Sequence, residues 1–180
     1  NEVVISTSKA RLTVSREDGR VSFCRAVGEK LLFNGKAPES LDTKGFKVHF
    51  TVAPEDRIYG MGDVTRDRLE KRGFKRMMLV ANVAAYVPIT FLMGYRGWGL
   101  LLNTTWRHLA DICAQDPNEM YFHAKGGTLD YYLFCGGSYE EILNDSTEID
   151  GKPVMLHLSA YGLKYICNEN VDALQRLQAA

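Results

Sequence analysis

The residues most able to do chemistry here are Trp106-Arg107-His108, which place an aromatic ring, a fixed cation and a titratable imidazole side by side. The plainer reading is a strand with Trp106 and His108 on one face and Arg107 on the other, and it is preferred. His49 lies on the polar face of an alternating run and reads as a solvated histidine rather than a ligand or base. Between Asp63 and Arg76 come Asp63, Arg66, Asp67, Arg68, Glu70, Lys71, Arg72, Lys75 and Arg76. Two readings of that loop stay open: a solvated excursion of compensating charges, or a polar contact surface for a ligand or a neighbouring domain. Cys24, Cys113, Cys135 and Cys167 are far apart, with no CxxC pair and no histidine at ligand spacing. They are expected to be buried, reduced thiols rather than a metal site, which suits a cytoplasmic setting. No GxSxG, HExxH, P-loop or dinucleotide fingerprint occurs, and Tyr59-Gly60-Met61-Gly62 reads as a turn. No metal site or cofactor is therefore expected.

Composition narrows the classes further. Lys plus Arg and Asp plus Glu number 22 each, for a formal net charge of zero. A nucleic-acid partner would call for excess positive charge, so none is expected. No apolar run is long enough to span a bilayer. No basic-then-apolar leader is visible, although a chain starting at Asn1 leaves a removed leader open. Asn103-Thr104-Thr105 and Asn144-Asp145-Ser146 match the glycosylation pattern and are read as chance.

The elements that would position these residues are mostly strands. Leu12 and Val14 alternate with polar neighbours, Glu17-Asp18-Gly19 turns the chain, and Val21 and Phe23 resume: a hairpin. Leu31 to Phe33 ends at Asn34-Gly35, read as a turn. Phe46, Val48, Phe50 and Val52 alternate with Lys47, His49 and Thr51, as in a half-buried antiparallel strand. Runs at Met77–Ala81, Ile89–Met93, Trp98–Leu102 and Leu129–Cys135 follow, with weaker ones at Thr105–Ala114 and Glu119–Ala124. Many short strands punctuated by Gly and Pro indicate an all-β sandwich. Ser138-Tyr139-Glu140-Glu141 is a capping box, predicting a helix that ends near Asp145 to Thr147. Gly151-Lys152-Pro153 reads as a linker. Strand-like runs at Val154–Leu158 and Leu163–Cys167 and a helix over Val171–Gln178 follow. The pattern thus divides the chain into a β-sandwich domain, 1–150, and a linker with one strand and one helix, 151–180.

Six segments carry a family resemblance. Tyr59-Gly-Met-Gly-Asp63 resembles "YGLGE", Leu69-Glu-Lys-Arg-Gly73 resembles "LDKRG", and Tyr86-Val-Pro-Ile-Thr-Phe-Leu92 resembles the approach to "PFL". Gly97-Trp-Gly-Leu-Leu-Leu-Asn103 resembles "GYGLLLN", Leu129-Asp-Tyr-Tyr-Leu-Phe134 resembles "LDYYLF", and Thr147-Glu-Ile-Asp-Gly-Lys-Pro153 resembles "YTELTGKP". In this order, over residues 58 to 153, they resemble the N-terminal part of glycoside hydrolase family 31, the α-glucosidases and α-xylosidases. The resemblance implies a galactose-mutarotase-like β-sandwich followed by a tail that starts a truncated (β/α)8 barrel, with Ala160 to Asn168 as its first strand. It implies a retaining mechanism whose two carboxyl groups, about 5–5.5 Å apart, sit on later barrel loops. The nucleophile's Trp-x-Asp-Met does not occur here, so the resemblance implies that this chain carries no catalytic residue.

The loop before "PFL" implies a contact with carbohydrate, an α-glucoside or α-xyloside, at the barrel mouth. The family's frequent Asp is absent, with Val83 or Ala84 near its place, leaving Asn82 and Tyr86 as substrate-binding candidates. Ser159, where Trp is frequent, and the ending Leu174 to Ala180 also depart from the pattern. The expectation is thus a non-catalytic domain that shapes the substrate pocket and supports its own catalytic barrel. The alternatives are a stand-alone carbohydrate-binding module using Tyr86, Trp98, Trp106 or Tyr121, and a structural interface domain. The apolar tail Val154 to Ile166 is expected to pack back on the sandwich or to mediate self-association.

Overall fold

A computed structural model describes residues 1–27, 31–36, 38–39, 44–64, 68–79, 87–162 and 175. The chain divides into two compact units, Asn1–Asp150 and Gly151–Ala180. The first is a sandwich of two antiparallel sheets. Among the described residues its strands are twelve: β1 (Glu2–Ser6), β2 (Ala10–Ser15), β3 (Val21–Arg25), β4 (Leu31–Gly35), β5 (Phe46–Thr51), β6 (Ile58–Asp63), β7 (Phe74–Met78), β8 (Val87–Gly94), β9 (Trp98–Leu102), β10 (His108–Ile112), β11 (Glu119–Ala124) and β12 (Tyr131–Cys135). Eight form one sheet in the order β1-β2-β3-β4-β5-β11-β10-β7, and four form the other in the order β12-β9-β8-β6.

Alternation decides which side chains enter the core. Phe46, Val48 and Phe50 of β5 are buried while Lys47 and His49 face outward. Met120, Phe122 and Ala124 of β11 do the same beside them. From the facing sheet, Ile58, Leu92, Trp98, Leu100 and Leu102 complete a continuous apolar layer. Removing this much apolar surface from water is the main term holding the sheets together.

A second, smaller core lies on the other side of the four-stranded sheet. There Phe91, Leu101 and Phe134 pack with Ile142 of helix α1 (Tyr139–Asp150). The capping box forms: Ser138 Oγ accepts the Glu141 N–H at 3.2 Å. The Glu141 carboxylate reaches back to the Gly137 N–H at 2.7 Å, one residue before the expected Ser138. The helix runs on to Asp150, past the expected end, and stops at Gly151, whose φ of 87° takes the chain out of the helix.

Three local expectations are corrected. Asn34-Gly35 is no turn: both residues continue β4 and pair with Thr51 and Phe50 of β5. Tyr59-Gly60-Met61-Gly62 is no turn either. It is the bulged part of β6, with φ of 125°, 71° and 67° at Gly60, Met61 and Gly62 and a register shift against β8. A Cβ at Gly60 or Gly62 would strike the carbonyl oxygen of Phe91 or Val87, so the bulge needs glycine there. In the second unit, the strand expected over Val154–Leu158 is absent; those residues lie outside any strand and lead into a short 3-10 helix, Leu158–Tyr161. The run expected over 163–167 and the helix expected over 171–178 lie outside the described residues, apart from Gln175. No helix among the described residues is long and apolar enough to cross a membrane.

Candidate functional site

The charged loop divides: Glu70, Lys71 and Arg72 turn into the fold, while Asp63, Arg68 and Lys75 are exposed. Lys71 is buried, and its Nζ donates to the Arg68 carbonyl at 2.9 Å and lies over the Phe74 ring. Arg72 turns inward and donates to the carbonyls of Ala53 (2.7 Å), Asp56 (2.8 and 3.0 Å) and Pro117. Glu70 accepts the N–H groups of Arg72 (3.0 Å) and Ile58 (3.4 Å). Leu69, in contrast, is 84% exposed. Lys75 and Arg76 belong to β7, and Thr65, Arg66 and Asp67 lie outside the described residues.

Asp56 is the hub of this arrangement. It is 1% exposed, in the turn that carries the chain from β5 in one sheet to β6 in the other. Its Oδ2 accepts the Trp98 indole N–H at 2.5 Å and its Oδ1 accepts the Arg96 N–H at 3.1 Å. Trp98 is thus fully buried, correcting its place among exposed sugar-stacking aromatics. Burying an indole N–H and a carboxylate is tolerable only when they satisfy one another.

The connection from β7 to β8 also passes between sheets. Leu79 leaves β7 with φ of 60°, and Val87 opens β8 opposite Asp63 of β6. Arg76 fixes the neighbouring backbone by donating to the Val64 carbonyl at 2.5 Å. Asn82 and Tyr86, the candidate substrate contacts, lie in that connection and outside the described residues.

The other candidates separate. Trp106 precedes β10, is 56% exposed and lies against Gly126 and Gly127. His108 is fully buried and donates from Nδ1 to the Trp106 carbonyl at 2.8 Å. The two do not share a strand face, so the triplet does not assemble as a site. His49 is not a lone solvated histidine: its Nδ1 lies 2.5 Å from Glu119 Oε1, and its ring is 4.4 Å from that of Tyr121. Glu119, which sequence reasoning missed, also pairs with Lys36. Partial burial pushes its carboxyl up, but these two bonds outweigh that and hold it below the usual range. Its place opposite Thr51, at the end of a strand weak in sequence pattern, gave no local signal. Among the described cysteines, Cys24, Cys113 and Cys135 are free thiols, and burial raises Cys113 to about 11, so it is inert. Cys167 lies outside the described residues. No three His, Cys, Asp or Glu side chains among the described residues converge as a metal site.

Comparison with known proteins follows the same lines. Residues 1–111 match the family profile described as the glycosyl hydrolase 31 N-terminal galactose mutarotase-like domain. The chain is 26% identical to alpha-glucosidase 2 of Bacillus thermoamyloliquefaciens over 84% of its own length and 21% of that protein's. It is 22% identical to an alpha-xylosidase of Saccharolobus solfataricus, covering 89% of this chain and 22% of that one. The fold superposes on a dextranase from Flavobacterium johnsoniae, solved with isomaltotriose, with TM-score 0.76 and 21% identity over 86% of this chain and 20% of that one. The chain thus spans about a fifth of the length of these relatives.

Two measurements check this geometry. Asp56→Ala strands the Trp98 indole N–H and should lower unfolding stability by about 2–3 kcal/mol in urea titrations; a loss near zero would remove Asp56 from its central place. Burial holds the His108 imidazole below its ordinary value of 6.5. The folded chain therefore resists the proton that the unfolded chain takes up. This contribution is complete above that pH and is lost as pH falls below it. Urea midpoints should drop across this window in the parent chain and drop less in His108→Asn. Equal slopes would show that His108 does not titrate on unfolding.

Proposed function

Since the chain belongs to the glycosyl hydrolase 31 N-terminal galactose mutarotase-like domain family, we propose that it is the non-catalytic front domain of a retaining α-glycosidase. The family match is the observation that carries this reading. In it, residues 1–150 are the sandwich, and residues 151–180 are the linker and the first strand and helix of a catalytic barrel. The two carboxylates of a retaining reaction, a nucleophile and an acid–base, belong to that barrel. The sandwich contributes a wall of the sugar pocket through the β7–β8 connection, where the Asn82 amide bonds sugar hydroxyls and Tyr86 stacks on a ring. An α-glucoside or α-xyloside is the substrate class, as the names of the relatives suggest.

Several features support this reading. The β7–β8 connection is anchored at both ends, by Arg76 on one side and by the bulged β6 on the other. A rigid frame around a connecting segment is what a binding loop requires. Val154, Met155 and Leu158 are more than four-fifths exposed, as a segment awaiting a partner would be, whether that partner is the barrel or a second copy. Free thiols at Cys24, Cys113 and Cys135 suit the cytoplasm.

The purified 180-residue chain should show no hydrolysis of p-nitrophenyl α-glucoside or α-xyloside above buffer. Turnover that disappears when one of its own carboxylates is mutated would overturn the non-catalytic reading.

A further inference from the structure

We propose that the outer face of the eight-stranded sheet binds a neutral oligosaccharide, with Tyr121 as the stacking platform and His49, Gln115, Asp116 and Glu119 as its hydrogen-bonding rim. The choice of a sugar among neutral polyols rests on the family reading above; the site itself does not, and it uses no residue of the β7–β8 connection.

Strand register builds the site. His49 of β5, Tyr121 of β11, Asp111 of β10 and Lys75 of β7 stand directly opposite one another, one row across four strands. All four point away from the core, because the residues on either side of each in its strand face inward. Over this row opens a cleft of about 590 Å³, lined by Glu39, His49, Asp111, Gln115, Asp116, Glu119 and Tyr121. That volume lies within the range of small-molecule sites.

The rim is held in place before any ligand arrives. Glu119 is fixed by Lys36 and His49. Asp111 is 1% exposed; its Oδ1 accepts the N–H groups of Ala114 (2.8 Å) and Gln115 (3.2 Å), and its Oδ2 lies 3.1 Å from Lys75 Nζ. The same ammonium donates to Gln115 Oε1 at 3.1 Å. Asp116 accepts the Asn118 N–H at 2.8 Å. A ligand meeting fixed partners loses less ordering entropy on binding.

Charge selects the ligand class. Glu39 pairs with Lys47, Asp111 with Lys75 and Glu119 with Lys36, so the carboxylates of the cleft are largely neutralised. With three of the four carboxylates paired, the Asp116 carboxylate still leaves the cleft net negative, which disfavours an anion. A metal ion finds no three converging ligands among the described residues. What remains favoured is an uncharged molecule with many hydroxyls, donating to carboxylates and accepting from the His49 imidazole and the Gln115 amide. It also needs an apolar face, because the Tyr121 ring lines the cleft. That ring lies 4.4 Å from the imidazole of His49. A pyranose has both properties: hydroxyls at its edge and C–H groups on its face.

Maltotriose or isomaltotriose titrated at millimolar concentration into the 180-residue chain, followed by the histidine ring resonances in NMR, tests this. His49 should shift with saturation, and buried His108 should not. Tyr121→Ala should weaken the affinity by about tenfold, and Tyr121→Phe, which keeps the ring, should retain it and serves if the alanine variant fails to fold. The proposal falls if neither sugar moves His49, if Tyr121→Phe binds no sugar, or if folded Tyr121→Ala binds as tightly as the parent chain. It also falls if calcium chloride or inorganic phosphate moves the His49 resonances where the sugars do not. None of these results bears on turnover, so failure here leaves the front-domain reading to its own assay.

Discussion

The hydrogen bond from the Trp98 indole to Asp56 is the contact on which the rest of the sandwich depends. Two facing sheets are held mainly by non-directional burial, which fixes their separation better than their relative slide. Directional bonds must fix the slide. Asp56 supplies them where the chain first crosses between sheets. Its carboxylate takes the Trp98 N–H and the backbone at Arg96, both in or beside the β8–β9 hairpin. Its carbonyl takes Arg72, in the segment that crosses back. One residue therefore ties two crossings to a hairpin of the four-stranded sheet. Arg25 adds a tie from the larger sheet, donating to the Gly136 carbonyl at 2.8 Å.

This arrangement explains why so charged a segment belongs to the fold. Lys71 and Arg72 direct their charge at carbonyl oxygens outside the strand ladders: Arg68, Ala53 and Asp56 in the crossing segments and Pro117 in the β10–β11 turn. Such oxygens, if buried without donors, would be costly. A guanidinium offers five donors spread over a plane and here makes four bonds to three carbonyls, one more than the three donors of an ammonium allow. This local order lies at the Ile58–Gly94 end of β6 and β8, opposite the Asp63–Val87 end where the β7–β8 connection enters and where Arg76 holds the Val64 carbonyl.

The strand pattern was readable wherever burial was one-sided. β5 and the β2–β3 hairpin followed from alternation alone, and α1 followed from its capping box. Failures came where the deciding partner was distant in sequence. Asn34-Gly35 is a strong turn signal, overridden by pairing with β5. Val154–Leu158 has the apolar content of a strand, but a strand exists only where a neighbour completes its ladder. Trp98 could be placed on either side of its sheet, since all five residues of β9 are buried. His49 seemed alone because Glu119 is 70 positions away. For Arg72, the partners at Ala53 and Pro117 leave no trace in local pattern; the one signal was the resemblance of Leu69-Glu-Lys-Arg-Gly73 to a family motif. The family itself was legible in the order of six short segments, each too weak to stand alone, and the match over residues 1–111 agrees.

Sequencing the source gene through and beyond Ala180 tests the central claim most directly. The account predicts an open frame of several hundred further residues that encodes a (β/α)8 barrel with a Trp-x-Asp-Met nucleophile segment. A frame that continues into a different kind of domain, or that ends without one, would contradict the assignment of this sandwich to a working α-glycosidase.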